Sequence, residues 1–303
     1  MSKAEFRSGY VGVVGRPNVG KSTLINQILG QKIAAVSPRP QTTQRNQLGI
    51  LTTEQYQLIL VDTPGIHQPV TKIGDFMNES ALGTFSDVDV ILWIVDISVK
   101  PFAEDINIAQ KIKALNLQEN TLIALNKADL VVQEDLEKAA ENYLELLPEA
   151  ESLVISAQIA AGVDRLLERL IERIPVGPQY FPEDQITDLY ERQIACDLIR
   201  ESLLMNLSEE IPHAIAVRLD EYKDRSEKNA YIHATLLLDR ESHKPIVIGK
   251  KGAMIRKIGE YARMEIEKLT DRNIYLELNV KVEKNWRNNP KVLRALGYFI
   301  RKD

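Results

Sequence analysis

Residues 15–22 read Gly-Arg-Pro-Asn-Val-Gly-Lys-Ser, and no other stretch constrains this chain as strongly. The apolar run Tyr10 to Val14 stands directly before it, and a stretch of helical period, Lys21 to Leu29, directly after. That is the strand, loop and helix setting in which GxxxxGK[ST] binds phosphate. Glycines let the backbone wrap an anion with its N–H groups turned inward, and the positive end of the following helix adds to the attraction. Gly15, Arg16, Pro17, Asn18, Val19, Gly20, Lys21, Ser22 and Thr23 are therefore the candidate phosphate contacts. Lys21 is placed for the β and γ phosphates of a nucleotide, and the Ser22 hydroxyl for Mg²⁺.

Such a loop serves adenine and guanine nucleotides alike, so the base is chosen further along the chain. Asn126-Lys127-Ala128-Asp129 closes the apolar run Thr121 to Leu125. A carboxylate there accepts from guanine N1–H and its exocyclic amine together, whereas adenine presents a lone pair at N1 and leaves the carboxylate unsatisfied. Asp129 alone would read equally as a helix cap. Here it follows, in chain order, both the phosphate loop and Asp62-Thr63-Pro64-Gly65, which ends the run Leu58 to Val61. Asp62 is placed to hold Mg²⁺ through water, and the Gly65 N–H to sense a γ-phosphate. Thr42 or Thr43, in the polar loop Ser37 to Gln44, supplies one more hydroxyl for the metal. Ser156-Ala157 offers a backbone N–H to the guanine oxygen. Many GTPases carry a glutamine just after DxxG, but this chain has Ile66, so hydrolysis is expected to be slow. Arg39 and Arg45 read as solvated, and His67 as a poor base, because loose phosphoryl transfer demands positioning more than proton removal.

Around these motifs, residues 9 to 172 alternate short Val/Ile/Leu-rich runs with amphipathic stretches, the pattern of a mostly parallel sheet covered by helices. One antiparallel strand is expected at Gln44 to Leu51, since only a short connection separates it from Leu58. The 303 residues suggest two domains: a nucleotide-binding α/β domain at 1–175, a Pro/Gly-rich linker at 176–187 and a second domain at 188–303. Period-two alternation at Ile215 to Leu219, Ile232 to Leu238 and Ile274 to Val282, with helical stripes before and between, makes the second domain a small α+β unit. Ile248-Gly249-Lys250-Lys251-Gly252 opens its second helix, which carries Ile255. A GxxG loop lets two backbones approach closely and clamps about four single-stranded nucleotides. Charge agrees, since residues 1–212 hold 18 Lys and Arg against 30 Asp and Glu, whereas 213–303 hold 20 against 13. A basic third on an acidic chain points to an anionic partner. Lys281, Lys284, Trp286 and Arg287 read as added RNA contacts, with Trp286 equally readable as core.

From GRPNVGKS, SPRPQTT, DTPGIH, NKAD and SAQ through VIGKKGAMIRKIG to KVEKNWR, the whole chain resembles the Era family of ribosome-assembly GTPases, whose C-terminal domain is a type II KH domain. The resemblance implies a P-loop GTPase domain followed by that KH domain. It implies GTP and GDP as ligands, the 3′ end of 16S rRNA and the 30S subunit as partners, and Thr43 rather than Thr42 on Mg²⁺. Lys21, Thr43, Asp62 and Gly65 would then carry hydrolysis. Gln44 departs from the Arg usual in the family. Asn18 resembles the asparagine that coordinates K⁺ in potassium-activated GTPases, and reads equally as a loop stabiliser. A signalling GTPase that docks on proteins or a membrane surface, and an RNA chaperone with a vestigial nucleotide site, are the rival readings. No apolar run approaches the roughly 18 residues of a membrane helix, no leader pattern stands at the N-terminus, and the one cysteine, Cys196, leaves no internal disulfide. A cytoplasmic protein is expected, with peripheral attachment to the inner membrane left open.

Overall fold

A computed structural model describes residues 5–32, 34, 43–66, 71–187, 191–226 and 228–298. They form two compact units, the first built from the described residues up to 187, except that 71–76 group with the second, built from 191–298. No helix among the described residues is long and apolar enough to cross a membrane.

Up to residue 187 the elements run β1 (Arg7–Val14), α1 (Lys21–Leu29), β2 (Gln47–Thr52), β3 (Tyr56–Asp62), α2 (Lys72–Gly83), β4 (Val90–Asp96), α3 (Ala103–Ala114), β5 (Thr121–Asn126), α4 (Leu136–Leu144), β6 (Glu151–Val154) and α5 (Val163–Arg173), all in the first unit save the first turn of α2. The sheet order is β2-β3-β1-β4-β5-β6. Every pairing is parallel except β2 with β3, where Gln47 faces Asp62 and Thr52 faces Gln57. The antiparallel strand thus starts three residues later than its sequence suggests, because Gln44–Asn46 precede the ladder. All seven residues of β4 are buried, and alternation divides them between two cores. Leu92 and Ile94 pack with Leu24 and Ile28 of α1 and Leu166 and Leu170 of α5. Ile91, Trp93 and Val95 pack with Ile108 and Ile112 of α3 and Tyr143 of α4. Burial on both faces is why these strands read as unbroken apolar runs. The phosphate loop, the DxxG turn and NKAD then fall together, at the C-terminal ends of β1, β3 and β5.

The stretch 176–187, read above as a linker, is tied down along the first unit. Gln57 on β3 accepts from the Tyr180 and Phe181 N–H groups and donates back to the Phe181 carbonyl; the Ile50 N–H donates to Ile186. Its Pro/Gly content reports the loss of helical period, whereas freedom depends on hydrogen bonds that Gln57 and β2 supply from over a hundred residues away.

The second unit runs α6 (Glu191–Asn206), β7 (Ile215–Ser226), β8 (Asn229–Leu238), α7 (Lys244–Ile248), α8 (Ala253–Thr270), β9 (Asn273–Val282) and α9 (Pro290–Ala295). The sheet order is β7-β8-β9, with β7 antiparallel and β9 parallel to β8. Leu198 and Ile199 of α6 and Ile258, Ala262 and Ile266 of α8 cover one face through Ile232, Ala234 and Leu236. Trp286 belongs to this interior. It is fully buried and its Nε1 donates to the Ala214 carbonyl at 3.0 Å, which decides the open alternative in favour of core and withdraws it from RNA stacking. Its neighbour Arg287 is paired with Asp239 at 2.9 Å.

Candidate functional site

The phosphate loop bridges β1 and α1, and its curvature is steric in origin. Gly20 sits at φ 103°, and a Cβ there would stand 2.4 Å from the Asn126 amide nitrogen, so no side chain fits. Val19 is fully buried, which leaves its backbone alone to meet a ligand. Lys21 lies back across the loop and donates to the carbonyls of Gly15 and Arg16 at 3.1 and 3.0 Å. Burial lowers its pKa to about 8, against the pull of Asp62.

Three oxygen donors converge beside it. The hydroxyls of Ser22 and Thr43 donate to Asp62 Oδ2 at 3.0 and 2.9 Å and stand 3.2 Å apart. Asp62 Oδ1 is buried with no hydrogen-bond partner among the described residues. Burial pushes the Asp62 pKa up, while the Lys21 charge and the two hydroxyls oppose it. A buried, unpartnered carboxylate oxygen flanked by two hydroxyls suits a small hard cation, so these residues fit Mg²⁺. The DxxG turn is held against the phosphate loop by the Thr63 hydroxyl, which donates to the Val13 carbonyl at 2.7 Å, and by the Ile66 N–H, which reaches the Gly15 carbonyl at 3.3 Å. Ile66 is buried in the core with Trp93 and Phe85, so its side chain has no part in orienting water. Asn18 is exposed at φ 63°. Thr42 and His67 lie outside the described residues.

Asn126 is the brace of the base side. Its Nδ2 donates to the Val19 carbonyl at 2.7 Å and its Oδ1 accepts from the Ala157 N–H at 2.9 Å, so one buried amide fastens three loops. Both backbone N–H groups of Ser156-Ala157, the pair expected to offer one to the guanine oxygen, are thus engaged here, that of Ser156 with the Ala161 carbonyl at 2.9 Å. Ser156 reaches the exposed Asp129 side chain, its hydroxyl donating to Oδ1. Lys127, at φ 66°, pairs with Asp96 at 2.7 Å. Removing the Asn126 amide strands a buried carbonyl and a buried N–H, each costing about 1–3 kcal/mol. Asn126→Ala should thus lower stability by about 2–6 kcal/mol and weaken nucleotide binding at least tenfold; thermal melting and a GDP titration check both, and an unchanged melt would contradict the brace.

Behind the loop stands a network that the motifs do not announce. The Arg16 guanidinium binds Asp105 at 3.2 Å and Asp96 at 3.5 Å and lies 4.7 Å from the centre of the Phe102 ring. Its guanidinium is therefore committed to these two carboxylates and the ring. Burial pushes the Asp105 pKa up against these contacts, whereas Asp96, raised by burial, is brought below the usual carboxylate range by Lys127 and Ser98. Asp105 reads in sequence as an ordinary first-turn acid of α3, its partner 89 residues away.

In the second unit α7 ends at Ile248, and Gly249 (φ 72°) turns the chain so tightly that a Cβ would meet Met254 at 2.7 Å. Lys250 and Lys251 are exposed, Lys251 with φ 53°, and Gly252 caps α8. Neither lysine makes an ion pair with a described residue. Gly252 and Ile255 open onto a groove of about 550 Å³ between α8 and β9, which Arg256, Arg263, Tyr275 and Leu278 also line. These last four were not singled out from sequence, since helix and strand positions become neighbours only through packing.

Residues 10–127 match the family described as 50S ribosome-binding GTPase, and residues 210–287 match the KH domain. GTPase Era of Ruminiclostridium cellulolyticum is 45% identical over 298 residues, covering 98% of this chain and 99% of that protein. The chain belongs to the Era family of GTPases. GTPase Era of Clostridium botulinum strain Loch Maree is 45% identical over 294 residues, 97% of this chain and 98% of its own. A crystal structure of Era in complex with MgGDPNP and nucleotides 1506–1542 of 16S ribosomal RNA superposes with a TM-score of 0.92 at 38% identity, covering 97% of this chain and all of that one. An Aquifex aeolicus Era variant bound to GDP·AlF4⁻ gives the same TM-score and identity. The α/β GTPase domain followed by a KH domain, expected from the Era resemblance, is the fold observed.

Proposed function

We propose that this Era-family GTPase uses its nucleotide state to control how the KH unit holds the 3′ end of 16S rRNA during maturation of the 30S subunit in the cytoplasm. The observation that carries the reading is one chain holding both the guanine-nucleotide motifs gathered at one end of its sheet and an open groove beside two exposed lysines. An Era that resembles it over nearly its full length was crystallised with both kinds of ligand.

On this reading the loop amides of residues 15–23 and Lys21 hold the phosphates, and the Gly65 N–H meets the γ-phosphate. Ser22, Thr43 and Asp62 hold Mg²⁺, which when bound neutralises phosphate charge. Asp129 reads the guanine donors, positioned by Ser156, while Asn126 and Ala157 serve as its frame. Hydrolysis is slow, because Ile66 is buried and Arg16 is turned away, so neither a water-orienting amide nor an arginine finger comes from these positions. Asn18 stands in the phosphate loop, and an amide oxygen there would suit K⁺ beside the phosphates; replacing KCl with NaCl should then slow hydrolysis several-fold in the parent and leave Asn18→Ala unaffected, and equal parent rates in both salts would exclude potassium.

A titration with a 16S segment corresponding to 1506–1542, set against anionic lipid vesicles, tests the assignment of partner. Salt-sensitive binding to the RNA in preference to the vesicles is expected; the reverse preference would favour docking on a membrane.

A further inference from the structure

The KH sheet buries one face along its length and part of the other at Thr235 and Leu237, and leaves that second face accessible around Tyr231 and Tyr275. Ile232, Ala234 and Ile274 enter the core, and strand alternation leaves Tyr231, His233, Tyr275 and Glu277 on the opposite face. There Tyr231 and Tyr275 are direct cross-strand partners, their ring centres 5.7 Å apart and their planes 25° from parallel. Arg225 on β7 brings its guanidinium to 4.8 Å from the Tyr231 ring centre and 5.7 Å from that of Tyr275. Tyr275 is 62% exposed.

A cross-strand aromatic pair steadies a sheet, but that role gains nothing from exposing most of a ring. Two further observations point outward. Tyr275 also lines the groove, and β9 is an edge strand, so a chain leaving the groove over this edge reaches the other face without crossing another strand. The carboxylates nearby are already engaged, Glu221 by Lys223 and Glu277 by the Tyr231 hydroxyl. Arg225 makes no ion pair with a described residue, so the stack presents two π-faces and a cation. Bases of any sequence stack on such surfaces, and a guanidinium suits both base and phosphate.

We propose that Arg225, Tyr231 and Tyr275 form a stacking platform for bases of single-stranded RNA that run on beyond the nucleotides held by the groove. The proposal rests on the RNA-binding reading given above. The groove of a KH unit accommodates about four nucleotides, so length separates the two sites. The test measures fluorescence anisotropy with labelled five- and ten-nucleotide single-stranded RNAs of mixed sequence on the full chain. Stacking on one ring corresponds to an effect of about five- to 150-fold. Tyr231→Ala, which removes a ring of the stack that does not line the groove, should weaken the ten-nucleotide RNA about tenfold and leave the five-nucleotide RNA unchanged, whereas Tyr231→Phe, which keeps the π-face, should bind both as the parent does. Arg225→Gln should weaken only the longer RNA. Equal affinity of the parent and Tyr231→Ala for the ten-nucleotide RNA would overturn the platform while leaving the groove reading intact. Failure of the parent to bind either RNA would overturn the RNA reading itself, and the platform with it.

Discussion

Asp129→Asn should cost this GTPase about a hundredfold in GTP affinity and make it a xanthosine-triphosphate binder. The Asp129 side chain is exposed at the end of NKAD, with one oxygen held by the Ser156 hydroxyl, so the carboxylate is oriented before any base arrives. Guanine offers N1–H and an amine; bonds to a charged group are worth about 1.5–3 kcal/mol each, and losing the match leaves about 3 kcal/mol to account for. Xanthine places a carbonyl where guanine has the amine, and an Asn amide donates to it. Asparagine retains an oxygen for Ser156, so the melting temperature should move little. Competition among GTP, ATP and xanthosine triphosphate reads the result, and equal GTP and ATP affinity in the parent would remove Asp129 from base recognition.

The second large effect belongs to the other unit. Lys250→Asp with Lys251→Asp places two negative charges where a sugar-phosphate chain is expected to pass, and both lysines are exposed with no ion pair to another described residue to absorb the change. RNA affinity should fall about a hundredfold at moderate salt, and the slope of log K against log salt should shrink by about 1.4 for the two lost phosphate contacts. GTP hydrolysis without RNA should stay within about twofold of the parent, because the phosphate and base groups all lie in the first unit. Unchanged RNA binding would take the GxxG loop out of the site.

How much of this was legible in the residues follows from the range of the interactions. GRPNVGKS, DTPG and NKAD each act through backbone shape and one or two side chains within a few positions, and the strands before them are marked by continuous apolar runs, so motif and setting are read together. Gln57 holding residues 180 and 181, or Asp105 holding Arg16, leaves no local trace, because each partner is an ordinary polar residue until the sheet brings it home. Trp286 was undecided for the same reason: a Trp after two lysines suits stacking or core alike, and only the Ala214 carbonyl at its indole nitrogen settles it. The groove was half visible, through Gly252 and Ile255, while Arg256, Arg263 and Leu278 needed α8 set against β9.

Nucleotide and RNA binding should be coupled in this one molecule, and linkage makes the coupling measurable in either direction. The direct measurement is the affinity of the parent chain for the 16S segment, titrated once with GDP and once with a non-hydrolysable GTP analogue at the same salt concentration. The two affinities should differ by fivefold or more, within the range typical of coupled sites, and the RNA should shift the GTP-analogue-to-GDP affinity ratio by the same factor. Equal RNA affinity in the two nucleotide states would contradict it.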